Sequence, residues 1–183
     1  MIAVLIAFAG PVGGVSAQPE SLIGAKAVAS VSYDDLRRAL LEAGATDIRD
    51  LTVDPKIPSF GGVHSQAASL QGVLYACDVV EQRCRGVQLI SLIPATTRRT
   101  AQIIVGGVER TAFSIDARVT ELVNRPDSVA VMLSSYLVYD YGVSEQLLPI
   151  ALEQFRRAID QTKKFMLKDD PAHADLWAKQ AGN

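Results

Sequence analysis

Histidine, cysteine and excess positive charge are all in short supply in this chain, and each shortage closes a route to function. Histidine occurs twice in 183 residues, at His64 and His173, too far apart for the paired spacing of a zinc site. Lys and Arg number 18 against 20 Asp and Glu, so the formal net charge of -2 leaves no electrostatic footprint for nucleic acid. The pairs Arg37-Arg38, Arg98-Arg99 and Arg156-Arg157 are dispersed, with acidic residues near the first and last; they read as solvated helix faces. Gly61-Gly62 and Gly106-Gly107 match neither the P-loop nor the dinucleotide fingerprint, and no serine sits in a nucleophile elbow. Ser134-Ser135 reads as a turn. Asp34-Asp35 and Asp169-Asp170 lie near predicted helix ends, where the helix dipole and solvation explain them. Tyr136, Tyr139 and Tyr141 read as core or sheet-face packing, although an exposed tyrosine face would suit a binding partner. No catalytic residue, cofactor site or metal site emerges, and the expectation is that the chain is not an enzyme.

What is present is an ordinary globular composition, 49% hydrophobic and 21% charged, in a length that suits one domain with extensions. Residues 1–17 read as a signal peptide. Ile2 to Ala9 is apolar without interruption, a Pro/Gly stretch breaks any helix, and Val15-Ser16-Ala17 puts small or modest residues where a signal peptidase cuts. The run is shorter than the ~20 apolar residues of a spanning helix, so no stable membrane span is expected after cleavage. No Lys or Arg precedes the apolar core; positive charge there comes from the amino terminus or from residues upstream of Met1. The alternative is a buried N-terminal strand or helix.

Residues 18–31 read as a linker. A helix begins after Ser32, which suits the cap position, with Asp34 and Asp35 in the first turn. Leu36, Ala39, Leu40 and Ala43 form its apolar face, and Gly44 ends it. Ile48, Leu51 and Val53 mark a short strand. Residues 55–65, with two prolines and two glycines, read as a loop. Strands follow over about 67–76 and 86–93 and form an antiparallel hairpin across the polar residues between the cysteines. The stretch 95–109 reads as a ragged loop or an extra edge strand. A second helix is predicted from Ser114 or Asp116 to about Val123, with Val119, Leu122 and Val123 on its apolar face, then a turn at Arg125-Pro126-Asp127. Residues 128–141 read as two strands bent near Ser134-Ser135, or as one continuous bent strand. Ser144 caps a last helix running to about Leu167, with Leu148, Leu152, Phe155, Ile159 and Phe165 inward. Residues 168–183 form a tail with a short helix near Trp177. The predicted fold is α+β, with helices packed on an antiparallel sheet of about five strands in the order α-β-β-β-α-β-β-α.

Cys77 and Cys84 flank the hairpin loop and allow three readings. A disulfide is the first: residues facing each other across an antiparallel hairpin sit close enough to bridge, provided the chain is exported to an oxidising compartment. The second is a metal site, which the two distant histidines do not support. The third is a redox dithiol, whose usual spacing is two residues and which needs a helix start to lower a thiol pKa.

Leu74-Tyr75-Ala76-Cys77, Cys84 and Gly86-Val87-Gln88-Leu89 together resemble the hairpin of the YbjN-domain family, labelled bacterial sensory transduction regulators. Val123-Asn124-Arg125 falls where members often have Trp-Asn-Arg, and Gly142-Val143-Ser144 is similar to the step into their last helix. The resemblance covers roughly residues 30–162. Val123 replaces the family tryptophan, the acidic Gly-containing turn between the last strands is reduced to about Ser134-Ser135, and 94–109 looks like an insertion. The resemblance implies a type III secretion chaperone-like fold, whose members bind protein partners and often dimerise. It implies no reaction and no catalytic residues.

The sequence therefore points to an exported, periplasmic or secreted, non-enzymatic domain over residues 32–167. It would act as a protein-interaction, chaperone-like or regulatory module, with an unknown protein partner and a homodimer as options. The alternative is a periplasmic small-ligand or lipid binder using the space between helices and sheet.

Overall fold

The computed structural model describes residues 26–65, 68–111, 115–122, 125–140 and 142–181. The predicted signal peptide, the start of the predicted linker, Val123-Asn124 and Tyr141 lie outside them. The elements run β1 (Ala27–Val28), β2 (Val31–Ser32), α1 (Tyr33–Glu42), β3 (Thr46–Asp50), β4 (Ser59–Ser65), β5 (Ala68–Asp78), β6 (Arg83–Ala95), α2 (Arg98–Thr111), β7 (Asp116–Leu122), β8 (Arg125–Val138), β9 (Val143–Ser144), α3 (Leu147–Asp169) and α4 (His173–Ala181). The main sheet has seven strands in the order β3-β4-β5-β6-β8-β7, with β2 also on β6; β1 and β9 form a separate ladder. Every pairing is antiparallel. The protein is an α+β domain.

Strand residues of one parity face the helices. Leu70 and Leu74 of β5, Leu89 and Ile93 of β6, and Val131 and Leu133 of β8 share one core with Leu36 and Leu40 of α1 and Leu152, Phe155 and Ile159 of α3. The opposite parity makes a second, more polar face, where the Tyr75 hydroxyl donates to Gln88 Oε1 at 2.7 Å. Local chemistry sets α1 at both ends. Ser32 Oγ accepts from the Asp35 amide at 3.1 Å, the Asp35 carboxylate accepts from the Ser32 amide at 3.2 Å, and Gly44 at φ +86° takes the left-handed turn that ends the helix. Gly72 lets α1 settle onto the sheet, because a Cβ there would lie 2.7 Å from Leu36 Cδ1.

At the other end, α4 is latched to the end of β6. Trp177 Nε1 donates to the Pro94 carbonyl at 3.0 Å. The buried His173 accepts from the Thr96 amide at Nε2 (3.2 Å), and its Nδ1 lies 2.8 Å from the Asp170 carbonyl. That set of partners fits a neutral ring with its proton on Nδ1.

Six expectations need correction. Residues 98–111 form a helix rather than a loop or edge strand, because Ala101, Ile104 and Val108 turn one buried stripe toward the core. Residues 116–122 form a strand rather than a helix, pairing with β8 from Asp116↔Ser134 to Glu121↔Val129. Ser134-Ser135 is no turn: both residues are buried mid-strand in β8, opposite Ile90 and Leu89. The 55–65 loop contributes β4 from Ser59 onward, and the 18–31 linker contributes β1 and the start of β2. Phe165, predicted to face inward, is 48% exposed, and Thr162 and Met166 are buried on α3 instead.

Candidate functional site

The hairpin clamp, the N-terminal arm and the step into α3 meet at one place. β8 leaves β6 after Val138, and β2 takes over alongside β6, with Val31 opposite Cys84 and Ser32 opposite Arg83. Between the two strands, the Tyr139 amide donates to the Arg85 carbonyl at 2.8 Å. Cys84 also lies opposite Cys77 on β5, and the two cysteines are disulfide-bonded. Arg83 fastens the arm: Nε donates to Ser30 Oγ at 2.7 Å and Nη2 to the Ser30 carbonyl at 3.3 Å. On the arm's other side, Ala27 and Val28 pair with Ser144 and Val143, and the Glu145 amide donates to the Lys26 carbonyl at 2.9 Å.

A cavity of about 380 Å³ lies between this arm, α1 and the start of α3. Val31, Leu148 and Pro149 give it an apolar wall, and Asp35, Arg38, Glu42, Arg83 and Glu145 line it with charge. Burial alone would raise the Asp35 pKa. Hydrogen bonds from the Ser32 side chain and backbone, with Arg38 and Arg83 nearby, outweigh it and hold Asp35 below its ordinary value. Tyr139, 2% exposed, also lines the cavity, and its hydroxyl is buried with no hydrogen-bond partner. Burial and the Asp35 carboxylate push its pKa up to about 12, so it stays an O–H donor at any physiological pH. α3 begins beside it: the Gln146 side chain makes no cap bond, the Gln146 amide donates to Ser144 Oγ at 3.2 Å, and Pro149 has no amide hydrogen to donate.

A second surface lies at the far end of β8. β7 pairs with β8 no further than Ser134, so among the described residues the outer edge of 135–138 has no strand beside it. Tyr136 (65% exposed) and Val138 (57%) project from this stretch. Beside it runs a groove of about 290 Å³ lined by Ile115, Leu147, Ile150, Ala151 and Phe155.

The remaining candidate residues are scattered. His64 sits over α3, its Nε2 3.8 Å from Asp160. Burial lowers its pKa, Asp160 opposes that, and Arg156 and Lys163 reinforce it; Nδ1 is buried without a partner. His173 belongs to the α4 latch, so the two histidines serve different elements. Among the described residues no cluster of three or more His, Cys, Asp and Glu is arranged to hold a metal, and no helix is long and apolar enough to cross a membrane. The arginine pairs are largely taken up by acids: Arg37 with Asp50, Arg38 with Asp35, Arg98 with Glu121, and both Arg156 and Arg157 with Glu153. Those contacts hold the Glu153 carboxyl down to about 2.

Sequence reading grouped Tyr139 with Tyr136 as a packing tyrosine and singled out neither Arg83 nor Glu145. Strand parity carried the missing signal. Tyr139 shares the inward parity of Val131 and Leu133, whereas Tyr136 has the outward one.

No protein-family model and no curated protein matches this chain. Among solved structures, an uncharacterized protein from Methanothermobacter thermautotrophicus is similar over 76% of this chain and 99% of its own, at 12% identity and a TM-score of 0.50. YbjN from E. coli, described as a candidate transcription regulator, aligns with 80% of this chain and 94% of its own, at 11% identity and a TM-score of 0.40. The archaeal likeness is one of fold.

Proposed function

We propose that this chain is a non-enzymatic protein-interaction domain, exported to the periplasm or secreted, that captures an extended segment of a partner protein along β8. The observation that carries this reading is the strand edge at 135–138, which has no neighbour among the described residues, lies beside an apolar groove and carries exposed Tyr136 and Val138. Such an edge offers backbone hydrogen-bonding groups to an extended chain, and the groove takes alternate side chains of the added strand. The hairpin motifs of the YbjN-domain resemblance agree with an interaction or regulatory role. The Cys77–Cys84 disulfide is what an oxidising compartment would favour.

The reading of a lipid or small-ligand binder using the space between helices and sheet finds less support, because that layer is filled by one continuous core. Peptides selected by display against the full chain test the proposal. They should bind the wild type, lose binding to Ile150→Glu, and protect the amides of 135–138 from hydrogen exchange. Selected peptides that bind Ile150→Glu equally well, or that protect another element, would overturn it. A substrate turned over by the purified protein, with loss of activity on one side-chain change, would overturn the non-enzymatic part.

A further inference from the structure

We infer that the Cys77–Cys84 disulfide is a redox-sensitive clasp on the N-terminal arm: closed, it holds residues 27–33 on the body of the domain, and reduction releases them. The clasp is separate from the β8 edge and rests on different residues. Cys77, Cys84 and Val31 lie in one row across β5, β6 and β2. The Tyr33 amide donates to the Gln82 carbonyl at 3.3 Å. By the alternation of an antiparallel ladder, the backbone groups of Cys84 then point toward Val31 and away from Cys77. In that row the sulfur bridge, rather than a backbone hydrogen bond, joins β5 to β6. The same hairpin tip carries the arm's neighbouring attachments, with Ser32 opposite Arg83 and the Arg83 side chain bonded to Ser30. Beyond the tip, the arm's described backbone attachment is a two-residue ladder to β9 and the bond from the Glu145 amide to the Lys26 carbonyl.

Opening the bond changes this row. The Cα atoms of the two cysteines are 3.9 Å apart, closer than the ~4.5 Å of an ordinary non-hydrogen-bonded pair, so the bridge draws β5 and β6 together. Two thiols need ~3.5–4 Å between their sulfurs, against ~2 Å for a bond. Cys84 is fully buried with the buried Val31 on its other side, so the widening is delivered to the arm. Ala76 and Gln82, both at φ +51°, hold left-handed backbone disfavoured outside glycine and are free to leave it once the cross-link is cut. The reductant is a dithiol. One of its thiolates attacks the sulfur of the half-buried Cys77, forming a mixed disulfide and expelling the Cys84 sulfur, which takes up a proton. The second thiol attacks the mixed disulfide, closes the reductant's own disulfide and leaves Cys77 as a thiol. Two electrons pass from the dithiol to the cysteine pair.

Amide exchange of the full chain followed by NMR, oxidised and in excess dithiothreitol, tests the inference, with intact mass to count the thiols. Reduction under native conditions should speed exchange at Val31 and Tyr33 by about tenfold and leave the Leu89 amide in the β6–β8 ladder unchanged. Cys77→Ala leaves Cys84 as a small buried thiol. It should show fast arm exchange with and without dithiothreitol while keeping the circular dichroism of the wild type. Arm exchange that stays slow with both thiols free, acceleration spread evenly over the sheet, or a native disulfide that dithiothreitol does not open would each overturn it.

Discussion

Replacing Gly72 with alanine should loosen the seam between α1 and the sheet. A methyl group at this position would lie 2.7 and 2.8 Å from the two Leu36 methyl carbons and 3.1 Å from Leu36 Cγ. Leu36 is fully buried and has nowhere to swing, so α1 or β5 must shift. Overpacking of this kind costs about 1–3 kcal/mol. Alanine recovers about 0.5–1 kcal/mol because glycine loses more chain entropy on folding. The net expectation is a destabilisation of about 1–2 kcal/mol. Leu36→Ala alone leaves a cavity and should cost about 2–5 kcal/mol. In the double variant the alanine methyl occupies part of that cavity and meets no clash, so the two changes should couple favourably by about 1–2 kcal/mol. Urea unfolding of the four proteins, followed by circular dichroism, closes the cycle. A Gly72→Ala protein as stable as the wild type, or two changes that simply add, would refute the close-approach argument.

Three further outcomes follow from the hairpin and from His64. Reducing the disulfide, or changing both cysteines to alanine, should cost about 2 kcal/mol, the loop-closure value for a separation of seven residues; intact mass of the native protein before and after reductant checks that the bond forms, and free thiols there would refute it. Ala76 sits in β5 at φ +51°, a left-handed conformation costing about 1–2 kcal/mol outside glycine, so Ala76→Gly should stabilise by up to about 1 kcal/mol in a denaturant titration. Folded His64 takes up its proton below the ordinary value of 6.5, so just below that pH the unfolded chain binds more protons than the folded one. Its contribution to stability should be complete above pH 6.5 and decline as the pH falls toward the lower folded value, and His64→Gln should flatten that decline; an unchanged slope would remove His64 as its cause.

The parts of the fold that were legible in sequence are those where local chemistry and burial agree. Ser32, Asp35, Leu36, Leu40 and Gly44 state a start, a face and a stop for α1, and each takes the predicted role. The hairpin strands were placed within a few residues for the same reason. In α2 the two levels conflict. Ile103, Ile104, Val105 and the Gly106-Gly107 pair all weaken helix propensity, yet packing of Ala101, Ile104 and Val108 on the core decides the outcome. In β7, Ala117 and Val119 alternate with polar neighbours, a two-residue period that the spacing of Val119, Leu122 and Val123 disguised as a helix.

Glycine in 55–65 misled for another reason. A Cβ at Gly62 would lie 2.2 Å from the Thr46 carbonyl oxygen, so that glycine permits β3 and β4 to approach and marks no turn. The candidate sites were less legible than the fold. The cavity draws on residues from Val28 to Pro149, and among the described residues the strand edge arises because β7 pairs no further than Ser134 while β8 continues. Pairing extents of that kind are absent from any local pattern.

Trp177 is the chain's one tryptophan, and it sits in the latch that joins α4 to the end of β6. Its indole packs near the His173 ring and beneath the Lys163 ammonium. Intrinsic fluorescence excited in the tryptophan band will therefore be an optical gauge of one docked helix, while the seven-stranded sheet stays nearly silent in that signal. A denaturation curve followed by emission will run ahead of one followed by circular dichroism wherever α4 lifts off first. The gap between the two curves then reads the strength of the latch without any added label.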